Sequence, residues 1–190
     1  VLAPTAAAGK LETYTFEAEY VYLDEFMGAG ISNSGEGVNN IYGDGGENDI
    51  NKGWSNGYFL GNTYAKNSIT FEITSDKAAD GKLVLRLASE LGNLALDNSV
   101  FGLEVNGKEV EYSLTVANSA AGSYDFADYP ISAVVKLGEG VNTVTLTIKD
   151  NTLKDGNSIG APLIDCIRIT TDATLTWSPL TDNPDNRGKI

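Results

Sequence analysis

The sequence contains no histidine and only one cysteine, Cys166. The absence of histidine removes the usual general base at neutral pH, the Ser-His-Asp and Cys-His catalytic arrangements, and the most common zinc ligand. A Gly-x-Ser-x-Gly pattern at 53–57 therefore lacks the base that a nucleophile elbow requires. A single cysteine cannot form an internal disulfide, so cysteine usage does not identify the compartment.

Basic residues are also few, with 13 Lys and Arg against 26 Asp and Glu, for a net charge of −13. This surplus argues against nucleic acid as a partner, because no basic surface is available to displace counterions from phosphates. It argues equally against docking on an anionic membrane. No apolar run approaches the roughly 20 residues needed to span a bilayer. Charge and hydropathy together therefore predict that neither nucleic acid nor a membrane is a partner.

Helical periodicity is missing as well, and alternation of apolar and polar residues is present throughout. The 21 glycines indicate many turns, and Asn106-Gly107 predicts a tight hairpin. The pattern predicts an all-β protein, an antiparallel β-sandwich of the jelly-roll type with long loops on the ligand side. The predicted strands are 13–22, 68–74, 82–88, 100–105, 109–114, 131–137, 142–149 and 163–170.

The chain of 190 residues predicts one domain. We interpret 1–11 as an N-terminal linker, 12–177 as the sandwich and 178–190 as a C-terminal linker. Two stretches without alternation, 24–57 and 150–162, are long for loops, and such loops are usually functional or disordered. We expect them to converge at one end of the sandwich.

Three carboxylates in the first and last predicted strands are candidate metal ligands. Glu17 and Glu19 alternate with apolar residues, which predicts side chains on one face about 7 Å apart. Either both point into water or a cation bridges them. In the last strand, Asp165 is separated by even numbers of residues from Leu163, Ile167 and Ile169, which predicts that it lies on their apolar face. If the first and last strands pair, the three carboxylates form an all-oxygen site, for which calcium is the natural ion.

Three aromatic residues, Tyr42, Trp54 and Tyr124, lie among Gly, Asn, Ser and Asp rather than in clear strands. An exposed aromatic ring offers a flat apolar surface to the C–H face of a pyranose, while nearby amides and carboxylates hold the hydroxyls. The alternative is that these rings pack against the domain and anchor its loops.

Glu17-Ala18-Glu19, together with Ile164-Asp165-x-Ile167, resembles the carbohydrate-binding modules of families 6 and 35. Further similar segments occur in the order found in those families, and the resemblance covers about residues 12–170. These segments are 55–61 followed by 69–71, Leu85-Arg86-Leu87-Ala88, Val105-Asn106-Gly107, and 140–144.

The resemblance implies a jelly roll with a structural calcium held by Glu17, Glu19 and Asp165. It also implies a sugar site in the end loops, built from aromatic rings and a late asparagine. The families place that asparagine shortly before the final Ile-Asp, where this chain has Ala-Pro-Leu at 161–163.

The nearest amides to that point are Asn151 and Asn157, in a longer loop. We expect one of them to replace the family's asparagine, with Trp54 as the stacking platform and Tyr42 beside it. The acidic surface favours a neutral or calcium-bridged sugar.

The favoured function is non-catalytic, calcium-stabilised binding of an oligosaccharide or polysaccharide. Such a domain, a monomer within a longer chain, would target a secreted multimodular bacterial protein, such as a glycoside hydrolase, outside the cell or at its surface. One alternative is a structural or adhesive calcium-binding sandwich without a sugar site. Another is an enzyme that uses carboxylates alone, as glycosidases do.

Overall fold

The strands account for almost all regular structure in the computed structural model. It describes residues 9–22, 41–43, 53–61, 63, 65, 67–149, 153–154, 157–158 and 160–180. The strands are β1 Glu12–Glu17, β2 Ile41–Gly43, β3 Tyr58–Leu60, β4 Ser68–Ser75, β5 Ala79–Ala88, β6 Leu94–Asp97, β7 Phe101–Val105, β8 Lys108–Glu109, β9 Ser113–Val116, β10 Ala127–Leu137, β11 Gly140–Ile148, β12 Leu153–Lys154, β13 Asn157–Ser158, β14 Leu163–Thr171 and β15 Leu175–Thr176.

Two antiparallel sheets form the body of the protein. The six-stranded sheet has the order β10-β5-β14-β3-β2, with β1 also paired to β14, and the five-stranded sheet has the order β15-β4-β11-β7-β8. Two further pairs, β12-β13 and β6-β9, stand apart from them. The predicted antiparallel β-sandwich is confirmed.

The core lies between the two sheets and follows the alternation of the strands. On β4, Ile69, Phe71 and Ile73 are at most 1% exposed, whereas the residues between them face outward. Ile167 and Ile169 of β14 belong to the same buried cluster. Each such side chain contributes about 1.5–3 kcal/mol by leaving water, so the alternation fixes which face of each sheet turns inward.

The first and last long strands pair as expected. β1 runs antiparallel to β14 from Glu12 opposite Thr171 to Glu17 opposite Cys166. This pairing brings the acidic end of β1 beside the beginning of β14.

The predicted strand 13–22 is wrong beyond residue 17. β1 ends at Glu17, and a one-turn 3-10 helix, Ala18–Tyr20, follows it. Within the turn Ala18 and Glu19 are fully buried, and Val21 after it is 4% exposed. Successive side chains of a strand point to opposite faces, so a strand could not bury Ala18 and Glu19 on the same side. The packing of Ala18 and Val21 into the core therefore favours a turn here in spite of the alternating sequence. Glu17 and Glu19 therefore do not share a strand face.

The parity assigned to Asp165 is also wrong. The pairing of β14 with β5 shifts register between Ile164 and Cys166, as in a β-bulge. A bulge adds one residue to a strand, so the alternation that grouped Asp165 with Ile167 does not continue across this point.

Other strand boundaries differ less. The predicted strand 109–114 is divided between β8 and β9, and the short strands β2, β3, β6, β12, β13 and β15 were not predicted. Most of the predicted loops 24–57 and 150–162 lies outside the described residues. Within the described part, no helix is long and apolar enough to cross a membrane.

The Asn106-Gly107 hairpin joins β7 to β8, and both turn residues have positive φ, 53° and 70°. A Cβ on Gly107 would meet no atom within 4 Å, so replacing it costs backbone strain alone. We expect Gly107→Val to lower the free energy of unfolding by about 1–2 kcal/mol in urea titrations. Gly138→Val is the control, because Gly138 lacks a left-handed φ and a Cβ there would meet only Asn142 Oδ1, at an ordinary contact distance of 3.8 Å. Equal losses in both variants would contradict this explanation.

Candidate functional site

A short loop, 53–57, approaches the outer face of the six-stranded sheet just before β3. Asn56 and Gly57 have φ values of 51° and 78°, and the Tyr58 amide donates to the Ser55 carbonyl at 3.2 Å. This is a tight turn of the kind that Asn-Gly favours. The turn holds Trp54 and Ser55 at its entrance.

Two carboxylates hold this loop through Ser55. The Ser55 amide donates to Asp165 Oδ1 at 2.9 Å, and its hydroxyl lies 2.7 Å from Glu17 Oε2 and 3.0 Å from Asp165 Oδ2. Asp165 is fully buried and Glu17 partly buried. The bulge in β14 and the end of β1 thus present their carboxylates to the same hydroxyl.

The Ser55 hydroxyl has one hydrogen and contacts two carboxylates. One of these contacts therefore needs a proton on a carboxyl group, or a cation nearby, to avoid repulsion between oxygens. Burial raises the pKa of Asp165 to about 7, and the charge of Glu17 adds to this shift. Burial also raises the pKa of Glu17.

Glu19 lies beside this pair in the 3-10 turn. The Asn56 amide nitrogen donates to Glu19 Oε1 at 2.9 Å and to the Tyr20 hydroxyl at 2.7 Å. Burial raises the pKa of Glu19 to about 9, and the charges of Glu17 and Asp165 raise it further. Consecutive loop residues, Ser55 and Asn56, are therefore each bound by buried acidic groups.

The carboxylates of Glu17 and Asp165 and the thiol of Cys166 offer atoms within 4.8 Å of one another, a spacing that could hold a metal ion. Burial raises the pKa of the Cys166 thiol, which favours the neutral form. The two carboxylates are therefore the relevant donors, and they suit a hard cation such as calcium. Glu19 is not in this group of three, but its buried carboxyl adds negative charge nearby.

Arg86 of β5 fastens the same loop from the other side of Trp54. Its Nε donates to the Gly53 carbonyl at 3.1 Å and lies 3.2 Å from Asp165 Oδ2. Its Nη1 donates to Asp128 Oδ1 at 2.8 Å. The residues before and after Trp54 are thus both anchored to the sheet.

The three predicted aromatic residues converge on Phe59 of β3. Its ring centroid lies 5.1 Å from that of Trp54, 5.8 Å from that of Tyr42 and 5.6 Å from that of Tyr124. Phe126 packs at 5.1 Å and completes what we call the aromatic cluster: Tyr42, Trp54, Phe59, Tyr124 and Phe126. These rings come from segments far apart in the sequence.

The aromatic cluster lies on the outer face of the six-stranded sheet. Phe59, Ala88 and Leu163 form a small cluster of their own, and the strand neighbours of each belong to the main core. Phe59 is 3% exposed, whereas Tyr42 and Tyr124 are 42% and 41% exposed. Trp54 is half-buried. The accessible ring surface therefore comes mainly from the two tyrosines.

The structure does not describe the side chains of the two predicted amides, Asn151 and Asn157. Asn151 lies outside the described residues, and Asn157 begins β13, where only the backbone is described. Sequence reasoning did not assign Ser55, Arg86 or Phe59 to the site. The Asn-Gly pair after Ser55 was the available signal for a structured turn, whereas the position of Phe59 depends on the pairing of β2 with β3.

No protein-family profile and no curated protein matches the chain. Several solved structures, however, are similar to the chain. A family 35 carbohydrate-binding module from an environmental isolate superposes with a TM-score of 0.54 at 19% identity, covering 87% of this chain and 97% of that module. A family 35 module from Clostridium thermocellum superposes with a TM-score of 0.51 at 15% identity, covering 83% of this chain and 97% of that module. The chain has the fold of the family 35 carbohydrate-binding modules.

The GH26-CBM35 β-(1,4)-mannanase of Podospora anserina shows the same fold, with a TM-score of 0.52 at 19% identity. This chain is covered to 87% but spans only 28% of that enzyme. The resemblance predicted from sequence motifs is thus confirmed for the fold. In this chain, Ser55 binds the Glu17 and Asp165 carboxylates, and the preceding residue, Trp54, packs in the aromatic cluster.

Anchoring by Arg86 can be tested with Arg86→Lys, which keeps the charge but cannot reach Gly53, Asp128 and Asp165 together. We expect the Ser55 amide to exchange its hydrogen about tenfold faster, equivalent to about 1.4 kcal/mol. Arg168→Lys is the matched control, because Arg168 also binds Asp128, at 2.6 Å. Unchanged exchange in Arg86→Lys would show that the carboxylates alone hold the loop.

Proposed function

We propose that this protein is a non-catalytic carbohydrate-binding domain whose ligand contacts the aromatic cluster. The observation that carries the proposal is the convergence of Tyr42, Trp54 and Tyr124 on Phe59, with both tyrosines more than 40% exposed. Packing alone does not require two half-exposed rings on one side of a sheet. Flat rings of this kind suit the apolar face of a sugar.

The anchored loop supports the same function. Because Gly53 and Ser55 are bonded to the sheet, Trp54 and its neighbours need little ordering when a ligand binds, and this lowers the entropic cost of association. Asn151 and Asn157 remain our expected donors to sugar hydroxyls. The absence of histidine and the structural use of the carboxylates favour binding over catalysis.

The wider context is inferred from the similar structures. One of them joins a family 35 module to a β-(1,4)-mannanase. We propose by analogy that this domain, bounded by linkers at 1–11 and 178–190, is monomeric and belongs to a secreted multimodular protein. There it would hold the attached protein near an oligosaccharide or polysaccharide outside the cell or at its surface.

The aromatic site predicts that Tyr42→Ala and Tyr124→Ala each weaken binding of neutral oligosaccharides by about 1–3 kcal/mol, the usual range for a stacked anchor. Affinity electrophoresis and calorimetry on a glycan panel measure this. Trp54→Ala should also weaken binding, through loss of the loop's packing on Phe59. Leu11→Ala is the control, because Leu11 is 60% exposed but outside the aromatic cluster.

Binding that survives in both tyrosine variants would contradict the assigned surface. If the wild-type protein binds no member of the panel, the alternative of a structural or adhesive sandwich gains support.

We also propose that calcium binds at Glu17 and Asp165, with the Glu19 carboxyl contributing negative charge. The support is the chemistry of the donors: the partly buried Glu17 and the buried Asp165 carboxylates both contact the Ser55 hydroxyl, which has a single hydrogen. A bound cation would neutralise this buried charge and strengthen the attachment of the Trp54 loop.

This calcium site predicts a pH-dependent response to chelator. Without metal, the folded protein keeps a proton on Glu19 between pH 4.5 and about 9, where the unfolded chain releases it. The free energy of unfolding therefore falls as the pH rises through this interval. The positive charge of a calcium ion at Glu17 and Asp165 favours the ionised form of the neighbouring Glu19 carboxyl, so its stabilising effect should grow from about pH 5 to about pH 9.

Melting temperatures measured in EDTA and in calcium chloride test this, with Glu19→Gln expected to flatten the pH dependence and Asp165→Asn to remove the calcium response. Glu139→Gln, an exposed site, should behave as wild type. Equal melting temperatures in EDTA and calcium at every pH would exclude the metal site.

A further inference from the structure

Two carboxylates come from the loops that present Tyr124, an exposed ring of the aromatic cluster. Glu90 lies in the loop after β5, and Asp125 lies in the loop before β10. The Tyr124 hydroxyl donates a hydrogen bond to the Glu90 carboxylate. Burial raises the pKa of Tyr124, and the charge of Glu90 and this hydrogen bond raise it further. Glu90 is therefore a direct neighbour of a ring that is 41% exposed.

The two loops are bound to each other. The Gly122 amide donates to the Glu90 carbonyl at 2.9 Å, and the Asn118 side-chain nitrogen donates to the Ser89 carbonyl at 2.6 Å. These bonds hold Glu90 beside Tyr124 before any ligand binds. The carboxylate and the ring therefore need little ordering during association, which lowers its entropic cost.

Asp125 keeps its negative charge under acidic conditions. The Ser119 amide donates to Asp125 Oδ2, and the Ser123 hydroxyl donates to the same oxygen at 2.9 Å. Hydrogen bonds from Ser119 and Ser123 lower the pKa of Asp125. This carboxylate therefore stays ionised at a mildly acidic pH, at which amines are protonated.

No basic side chain balances these carboxylates within the segments that build the surface. In the described ranges 41–43, 53–61, 88–93 and 117–126, Glu90 and Asp125 are the only charged side chains. Arg86 reaches the loop that carries Trp54, but its charge is offset by Asp128 and Asp165. Because the whole protein has a net charge of −13, the electrostatic potential at the exposed tyrosines is negative.

A negative potential beside aromatic rings favours a cationic ligand. The face of a tyrosine ring attracts a cation, and a neighbouring carboxylate accepts a charge-assisted hydrogen bond from an ammonium group. A uronic acid would be repelled by both carboxylates, and a neutral sugar would use the rings without using the charge. An amino sugar would use both, since its C–H face stacks on a ring while its ammonium group contacts a carboxylate.

We propose that the aromatic cluster prefers sugars with a free, protonated amino group, as in a β-1,4-linked polymer of glucosamine. The proposal rests on the proposed function, because it names the ligand class of the same surface. It assigns Glu90 as the residue that determines the preference. Neutral sugars bind the same rings with lower affinity.

The test is calorimetry at pH 5.5 with hexamers of β-1,4-linked glucosamine, N-acetylglucosamine and glucose, in about 0.15 M salt to screen long-range attraction. We expect the glucosamine hexamer to bind about tenfold more tightly than the glucose hexamer. The N-acetylglucosamine hexamer should bind no more tightly than the glucose hexamer at the amine-dependent contact, because acetylation removes the positive charge.

Glu90→Gln should lower the ratio of the glucosamine and glucose affinities to about threefold or less, because glutamine still accepts a hydrogen bond from Tyr124 but has no charge. Glu104→Gln is the matched control. Glu104 is also partly buried but belongs to β7 of the other sheet, and its replacement changes the net charge by the same amount. We expect the wild-type ratio in this variant.

Equal affinities of the wild type for the glucosamine and glucose hexamers would overturn the preference and leave the proposed function intact. A preference that persists in Glu90→Gln would also overturn it, as would equally tight binding of hexalysine, because general attraction to an acidic protein would then explain the result. Binding of none of the three sugar hexamers would overturn both proposals.

Discussion

The contact between Ser55 and the buried carboxylate of Asp165 is the interaction on which the rest of the site depends. It joins a loop to the start of β14, where the bulge between Ile164 and Cys166 lies. Burying a carboxylate is costly unless donors or a cation compensate it. Here a backbone amide, a hydroxyl and the Arg86 guanidinium share that role, and the same groups position Trp54.

The same arrangement connects the stability of the domain to the proposed ligand surface. The carboxylates of Glu17 and Asp165 bind Ser55, which is next to Trp54 of the aromatic cluster. They act on it through the loop that runs from Gly53 to Gly57. A cation at Glu17 and Asp165 would therefore influence sugar binding without contacting the sugar, because it changes how firmly the loop is held. In this respect the acidic residues Glu17 and Asp165 support the proposed binding surface structurally.

The sandwich leaves two large faces open, and they differ in chemistry. One carries arginines and aromatic rings, and the other carries the hydroxyl groups of Ser68, Thr70 and Thr74 with the Glu72 carboxylate among them. Because alternation places every second residue of a strand on each side, a two-sheet fold can build independent surfaces from the same strands that form its core.

The sequence by itself determined the sandwich and the Asn106-Gly107 hairpin, whereas the pairing of β1 with β14 was only supposed. The sandwich and the hairpin follow from alternation and turn chemistry, which act over a few residues. Tertiary structure alone decided that Glu19 lies in a 3-10 turn, that a bulge precedes Cys166 and that distant aromatic rings meet on Phe59. Burial of neighbouring residues in the shared core outweighs local alternation, and contacts between distant segments leave no local pattern to read.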